Sequence, residues 1–234
     1  MKSIVLLSGG LDSLVSLANA KNESEVLLAL TFDYGHRSAK GESAAAEKIA
    51  KHYGIPHKIL HLDWLSQITK TSLVNRDKPV PVVTERDLHC KLEITQDNAR
   101  AVWVPNRNAV FINIAAAYAE SLGADTIVAG FNSEEAATFP DNSIQFISAV
   151  NQSLRLSTLS KPRVISYVQS YNKGGIVNLG VKLGVPFDLI YSCYREGHGK
   201  MCGQCESCSR VMRAFKQTSN WDLIKDKFPK EDEK

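Results

Sequence analysis

Four short runs of branched, apolar side chains limit the fold more than any other feature. They lie at residues 3–7 (SIVLL), 25–32 (EVLLALTF), 57–62 (HKILHL) and 125–130 (DTIVAG). Runs of that length, apolar at successive positions, read as strands covered on both faces. Stretches of helical spacing separate them, at 13–21, 40–54 and 108–123, and the last two end at Gly54 and Gly123. A glycine just past the last periodic residue can take the left-handed conformation that stops a helix. A further helix is expected at about 172–183, stopping at Gly184 ahead of Pro186. This alternation predicts an α/β fold, a doubly wound and mostly parallel sheet with helices on both faces. In such a sheet, ligands gather in the loops at the carboxyl ends of the strands.

A chain of 234 residues fits one domain with a small appendage. We divide it into a main unit, residues 1–190, and a C-terminal helical segment, residues 191–234, that carries most of the cysteines. Hydrophobic residues make up 44% and charged residues 23%, the balance of a globular core. The net charge of +3 is too small to point to nucleic acid as a partner. No apolar run approaches the roughly 18 residues of a membrane helix, and the N-terminus lacks a leader pattern. The expected location is cytoplasmic, with no membrane partner. Residues 71–101 are polar, contain KPVPVV and show no sustained period, so a loop or lid is expected there. The charged end, PKEDEK, is expected to fray.

The segment from Ser8 to Ser13 (SGGLDS) joins the first strand to the first helix. Backbone N–H groups converge there with the positive end of a helix, which suits an anion. Gly9 and Gly10 let the backbone come close to a phosphate. The pattern is neither G-x-x-x-x-G-K-[ST] nor G-x-G-x-x-G. It resembles the S-G-G-x-D-S signature of the pyrophosphatase-type ATP-binding loop, the PP-loop, over all six residues. That resemblance implies enzymes that split ATP between the α and β phosphates, adenylate a carbonyl oxygen and release pyrophosphate. Ser8, Gly9, Gly10, Leu11, Asp12 and Ser13 would hold the phosphates, with Asp12 positioning Mg²⁺. The end of the second strand, at Phe32, Asp33 and Tyr34, would lie beside this loop, where the superfamily holds adenine by backbone groups.

Cys193, Cys202, Cys205 and Cys208 crowd together near the C-terminus, while Cys90 stands alone. In a reducing compartment such a cluster points to metal rather than disulfides. Four thiolates suit one tetrahedral structural zinc with no open position. An iron–sulfur cluster would use the same four ligands. His198 lies inside the loop as a further possible ligand, and no role is assigned to Cys90.

VPNRN at 104–108, FPD at 139–141 and the stretch GVPFDLIYSCYREGHGKMCGQCESC at 184–208 add to the SGGLDS loop. Together they resemble the 7-cyano-7-deazaguanine synthase family, over nearly the whole chain. The resemblance implies an ATP-dependent ligase of the queuosine pathway that takes a 7-carboxy-7-deazaguanine and ammonia to an amide and then a nitrile. It also implies ATP with Mg²⁺, one structural Zn²⁺ on the four cysteines, and a homodimer. Asp12, Ser13, Arg107 and Lys173 match catalytic positions, with Arg107 and Lys173 facing phosphate or substrate. Gly130, Asn132, Glu134, Phe139, Pro140 and Asp141 follow the fourth strand, where the deazaguanine would sit. A carboxylate there would meet its guanine-like N–H edge and Phe139 would stack on its ring. Asn108 reads as an N-cap for the helix that follows it.

The chain departs from the family at its loops. It reads YGHRS where the family usually has YGQRH, changing His36 and Ser38. It has Asn106 where the family has a glycine, and Phe139 and Asn142 replace a tyrosine and a cysteine. Three alternatives stay open on the residues alone. One is a relative that activates the same acid for another nucleophile. The others are a PP-loop tRNA-modifying enzyme and a nucleotide-binding zinc module without catalysis.

Overall fold

The computed structural model describes residues 1–83, 87–89, 99–196 and 200–229. Cys90, Gly197, His198, Gly199, the tail beyond 229 and part of the 71–101 segment lie outside the described residues. The sheet has five parallel strands: β1 (Lys2–Leu6), β2 (Glu25–Asp33), β3 (His57–His61), β4 (Thr126–Val128) and β5 (Arg163–Ile165). Their order is β3-β2-β1-β4-β5. The four runs expected to be strands are β1 to β4. The fifth strand offers only Val164 and Ile165 as an apolar pair after Lys161-Pro162-Arg163, whereas β4, equally short, sits in a longer apolar run, which is why the sequence announces β4 and not β5.

Helix α1 (Leu11–Glu23) follows β1, and α2 (Ala39–Tyr53) follows β2. The short α3 (Asp63–Ile68) follows β3, and α4 (Arg107–Leu122) leads into β4. Beyond β4 come α5 (Ser133–Ala136), α6 (Ile144–Ser157), α7 (Lys173–Leu183) and α8 (Glu206–Gln217). Gly54, Gly123 and Gly184 cap α2, α4 and α7 with φ of 65°, 68° and 63°, the left-handed stop expected of them. One expectation needs correcting. Asn106, at φ 53°, occupies the N-cap position of α4, whereas Asn108 lies within the first turn. Its side chain instead donates to the Asp141 carbonyl at 3.3 Å. Helix α6 buries Ile147 and Leu154 and packs Phe146 and Val150 partly against the core, a helical spacing that the expectations above do not include.

Successive strand residues feed opposite layers, as the pleat requires. Ile4, Leu30 and Ile127 join a core with Ile112 and Ala116 of α4 and Leu154 of α6. Val5, Ala29 and Val128 point the other way, into a core with Leu14 of α1, Ile49 of α2, Ile176 of α7 and Phe215 of α8. Cys193, Cys205 and Cys208 belong to this second core, so the C-terminal segment shares its apolar interior with α1 and α2. Phe215 meets Phe187 edge-on at 5.0 Å. The chain winds from β1 toward β3 on one side and crosses to β4 and β5 on the other. The switch point therefore falls between the carboxyl ends of β1 and β4, where a doubly wound sheet leaves a crevice.

Candidate active site at the carboxyl edge of the sheet

At that switch point lies a cavity of about 260 Å³. Its wall includes Ser8, Gly10, Asp12 and Ser13 after β1, Phe32 and Tyr34 after β2, and Gly130 and Phe139 after β4. Arg107 of α4 and Lys173 of α7 complete it from two sides. Residues distant in sequence thus meet at one crevice. Gly9, Leu11, Asn132, Glu134 and Asp141 are not among its lining residues.

The loop after β1 is shaped by close approach. Gly9 has φ +80°, and a Cβ there would lie 2.5 Å from the Glu42 carbonyl oxygen of α2. Only glycine satisfies both conditions. Gly130, at the end of β4, comes so near the loop that a Cβ would sit 3.1 Å from Ser13 N. The loop then fixes itself: the Gly10 N–H donates to Ser8 Oγ at 3.3 Å, and Ser13 Oγ donates to the Gly10 carbonyl at 3.0 Å. Helix α1 has no side-chain N-cap, so its first-turn N–H groups face the crevice end without an intrahelical partner.

Lys173, the first residue of α7, reaches back to this loop. Its Nζ donates to Asp12 Oδ2 and, at 2.5 Å, to Glu135 Oε1 of α5. Only 6% of the Lys173 side chain is exposed, so both ion pairs act in a medium of low polarity. Burial alone would lower the ammonium's pKa, but the two carboxylates outweigh it and raise it. Lys173 therefore stays charged. Burial pushes Asp12 up to about 6, against the pull of Lys173 and with help from the negative charge of Glu135. Glu135 moves the other way: burial acts to raise it, and the bond and charge of Lys173 hold it low. One ammonium thus serves two carboxylates, and Asp12 is the one left short. Its Oδ1 is buried with no hydrogen-bond partner. A buried carboxylate oxygen in that condition is a fitting ligand for a cation.

The far side of the cavity is aromatic. Phe32 stacks on Phe111 of α4 at 4.2 Å, and Tyr34 stacks on His36 at 4.1 Å. Arg107 donates to the Tyr34 hydroxyl at 3.1 Å, which holds a permanently charged guanidinium at the wall. Glu42 also reaches the cavity, accepting from Ser38 Oγ at 2.6 Å and pairing with His36 Nε2 at 3.1 Å. Burial would raise its pKa, but His36 and Ser38 together lower it. Phe139 lies parallel to Trp103 at 6.4 Å, and Asn142 shares its stretch of wall.

The remaining loop residues after β4 are structural in their contacts. Asn132 caps α5, accepting from the Glu135 N–H at 2.9 Å. Glu134 accepts from Arg213, from Arg210 at 2.8 Å and from the Lys173 N–H at 3.1 Å. Its carboxylate is committed to α7 and α8 and does not reach the cavity. Asp141 accepts from the Asn142 side chain at 3.3 Å; burial raises its pKa, against the charge of Arg107. Nothing in the sequence marks Glu135, Glu42 or the pairing of Lys173 with Asp12. The lysine and aspartate lie 161 residues apart, and no local pattern links them.

Beside the cavity the four cysteine sulfurs lie within 4.8 Å of one another. Backbone N–H groups of Tyr194, Arg195, Cys202, Gln204 and Cys205 donate to these sulfurs at 3.3–3.4 Å. Donors aimed at sulfur favour the thiolate, the form that binds metal. The cluster is able to hold one metal ion touching all four.

Among the described residues no helix is long and apolar enough to cross a membrane. The family model described as queuosine biosynthesis protein QueC matches residues 2–219. A 7-cyano-7-deazaguanine synthase of Pelotomaculum thermopropionicum is 55% identical over 216 residues, covering 92% of this chain and 97% of that protein. One from Methanosarcina mazei is 47% identical over 218 residues, covering 92% of this chain and 94% of that protein. The fold is similar to a 4-thiouridine synthetase solved with RNA and bound ATP, with a TM-score of 0.50 and 19% identity. That likeness covers 97% of this chain and 53% of the other. With a family model spanning nearly its whole length and relatives this similar, the chain belongs to the queuosine biosynthesis protein QueC family.

Proposed function

We propose that this chain is a 7-cyano-7-deazaguanine synthase, which uses ATP and Mg²⁺ to turn 7-carboxy-7-deazaguanine and ammonia into the nitrile. The observation that carries the reading is one cavity shared by an intact SGGLDS loop, buried Lys173 and Arg107, in a chain whose curated relatives are such synthases. The carboxylate oxygen of the acid attacks the α-phosphorus of ATP, the α–β bridge breaks and pyrophosphate leaves. Ammonia then adds to the acyl carbon and AMP leaves, which gives the amide. A second ATP activates the amide oxygen in the same way. Loss of AMP and of the remaining protons on nitrogen leaves the C≡N bond.

Ser8, Gly10, Ser13 and the first turn of α1 receive the departing pyrophosphate at the positive end of the helix. Lys173 offsets the charge that grows on the leaving group, and Arg107 steadies the α-phosphate or the acid. Phe32 and Tyr34 border the adenine. Phe139 offers its face to the deazaguanine ring beside Gly130, while Asn132, Glu134 and Asp141 shape that loop from behind. Catalysis in this scheme is positioning and electrostatics, with no protein nucleophile. Mg²⁺ supplies charge neutralisation on the phosphates, and the unpartnered Oδ1 of Asp12 fits it.

We assign the cysteine site to a structural zinc. Tetrahedral Zn–S bonds of about 2.3 Å put sulfurs about 3.8 Å apart. Cys202 and Cys208 are separated by 3.8 Å, which supports a single ion. An iron–sulfur cluster spreads its thiolates over several irons. The division at residues 190 and 191 then marks where the cysteine-bearing segment begins, and that segment shares the core and lends Ser192, Cys193 and Tyr194 to the cavity wall. A homodimer and a cytoplasmic location belong to the same proposal, and sedimentation velocity tests the first.

Mass spectrometry of a reaction with 7-carboxy-7-deazaguanine, ATP, Mg²⁺ and an ammonium salt tests the function. The nitrile should appear with two AMP for each molecule formed. AMP that depends on the acid but comes without nitrile would mean another acceptor. No AMP at all would overturn the reading.

A further inference from the structure

The residue before the first cysteine ligand touches the phosphate loop. Ser192 lines the cavity, and its Oγ accepts the backbone N–H of Leu11 at 3.3 Å. Leu11 opens α1, so this N–H is one of the orphan donors that an anion at a helix N-terminus would engage. The approach depends on Gly10: a Cβ at that position would lie 3.1 Å from Ser192 Oγ. The loop is thus open at the point where this hydroxyl enters it.

The hydroxyl is not needed to anchor its own segment. The Ser192 N–H already donates to Met201 Sδ at 3.1 Å, and the Cys208 sulfur lies 3.3 Å from its carbonyl oxygen. One residue earlier, the Tyr191 N–H donates to the Gly9 carbonyl at 2.8 Å. Main-chain contacts therefore tie this segment to the cysteine knuckle on one side and to the phosphate loop on the other. The side chain is left with an accepted N–H bond and a proton of its own. Among the described residues that proton has no acceptor. A hydroxyl that accepts from an amide is polarised into a stronger donor, and an anionic oxygen is its best partner.

We propose that Ser192 is a member of the phosphate cradle. Its hydroxyl relays the Leu11 N–H onto a phosphate oxygen of the bound nucleotide, and the cysteine knuckle holds it in register with the loop. The metal site then has a direct structural line to ATP binding, through Cys193, its chain neighbour Ser192 and Leu11. This inference rests on the reading of SGGLDS as an ATP loop, and its test separates the two.

Calorimetric titration of the metal-loaded protein with Mg²⁺–pyrophosphate and with ATP gives the readout. S192A should weaken both by about 10-fold, the cost of one hydrogen bond to a charged group. Affinity for the deazaguanine acid and a metal content of one per chain should stay unchanged. S192T and S192V form a second pair, nearly equal in shape and differing in the hydroxyl, which decides the matter if S192A loses its metal. Tight pyrophosphate binding by S192T with weak binding by S192V would support the relay. Equal binding by both, or wild-type affinity in S192A, would overturn it. A wild-type protein that binds neither pyrophosphate nor ATP would instead remove the ATP-loop reading on which the relay stands.

Discussion

Glu134 and Glu135 are neighbours on one short helix, yet they belong to two different kinds of ionic cluster. Glu134 is closed in: Arg210, Arg213 and the Lys173 N–H together satisfy its carboxylate. Arg210 is held in turn by Glu206 at 2.6 Å, one turn away on α8. Glu135 shares the Lys173 ammonium with Asp12, and that cluster is open, with Asp12 Oδ1 buried and unpartnered on the cavity side. Two guanidinium groups face two carboxylates in the first cluster, whereas a single ammonium faces two carboxylates in the second. A saturated cluster holds α5 against α7 and α8 and asks for nothing more. An unsaturated one is costly in an isolated protein and becomes favourable when a cation and its phosphates arrive.

The largest effect should come from the closed side. E134A leaves two buried guanidinium groups short of a partner, which costs about 3–5 kcal/mol by the usual cost of breaking a buried pair. The urea midpoint should drop, while the KM for ATP in the protein that remains folded stays the same. A variant of normal stability with a raised KM for the acid would make Glu134 a ligand residue and dissolve the contrast. D12N acts on the open side. Turnover should fall about 100-fold or more, the scale of losing one electrostatic contact to the reacting groups. Metal content and thermal midpoint should change little, and retained turnover would remove Asp12 from the proposed chemistry.

The pH dependence sharpens the same contrast. Asp12 has its pKa raised to about 6, so it carries its charge above that value and loses it as pH falls. Mg²⁺–ATP affinity should therefore weaken by roughly 10-fold per pH unit below 6, because a protonated carboxyl no longer attracts a cation. Glu134, held low by the Lys173 N–H and its arginines despite its burial, contributes no such step in this range. A flat binding profile from pH 7 to pH 5 would contradict the open-cluster description. The smallest effect is expected from Y34F, which removes the acceptor of the Arg107 bond. A several-fold rise in the KM for ATP or for the acid follows from losing roughly 1 kcal/mol, with stability nearly unchanged.

The doubly wound sheet, four of its strands and most of the long helices are legible along the chain, because each rests on a local periodicity or a glycine stop. So is the tight glycine turn after β1, whose close approach to α2 demands glycine at position 9. The four cysteines are legible as a cluster from their spacing, and the fold brings their sulfurs within 4.8 Å of one another, close enough for a single ion. None of these signals depends on what the rest of the chain does. The partners of the charged groups do. Glu134 and Glu135 are the same residue type at successive positions, and only the rotation of α5 sends one to Arg210 and the other to Lys173. Asn132 and Asn106 likewise look like loop polar groups until the backbone makes them a helix cap and a left-handed turn. Periodicity records what a residue does for its own element. Pairing across 161 residues, or a hydroxyl 181 residues away reaching the first N–H of α1, arises only when packed layers bring separate strand ends to one edge.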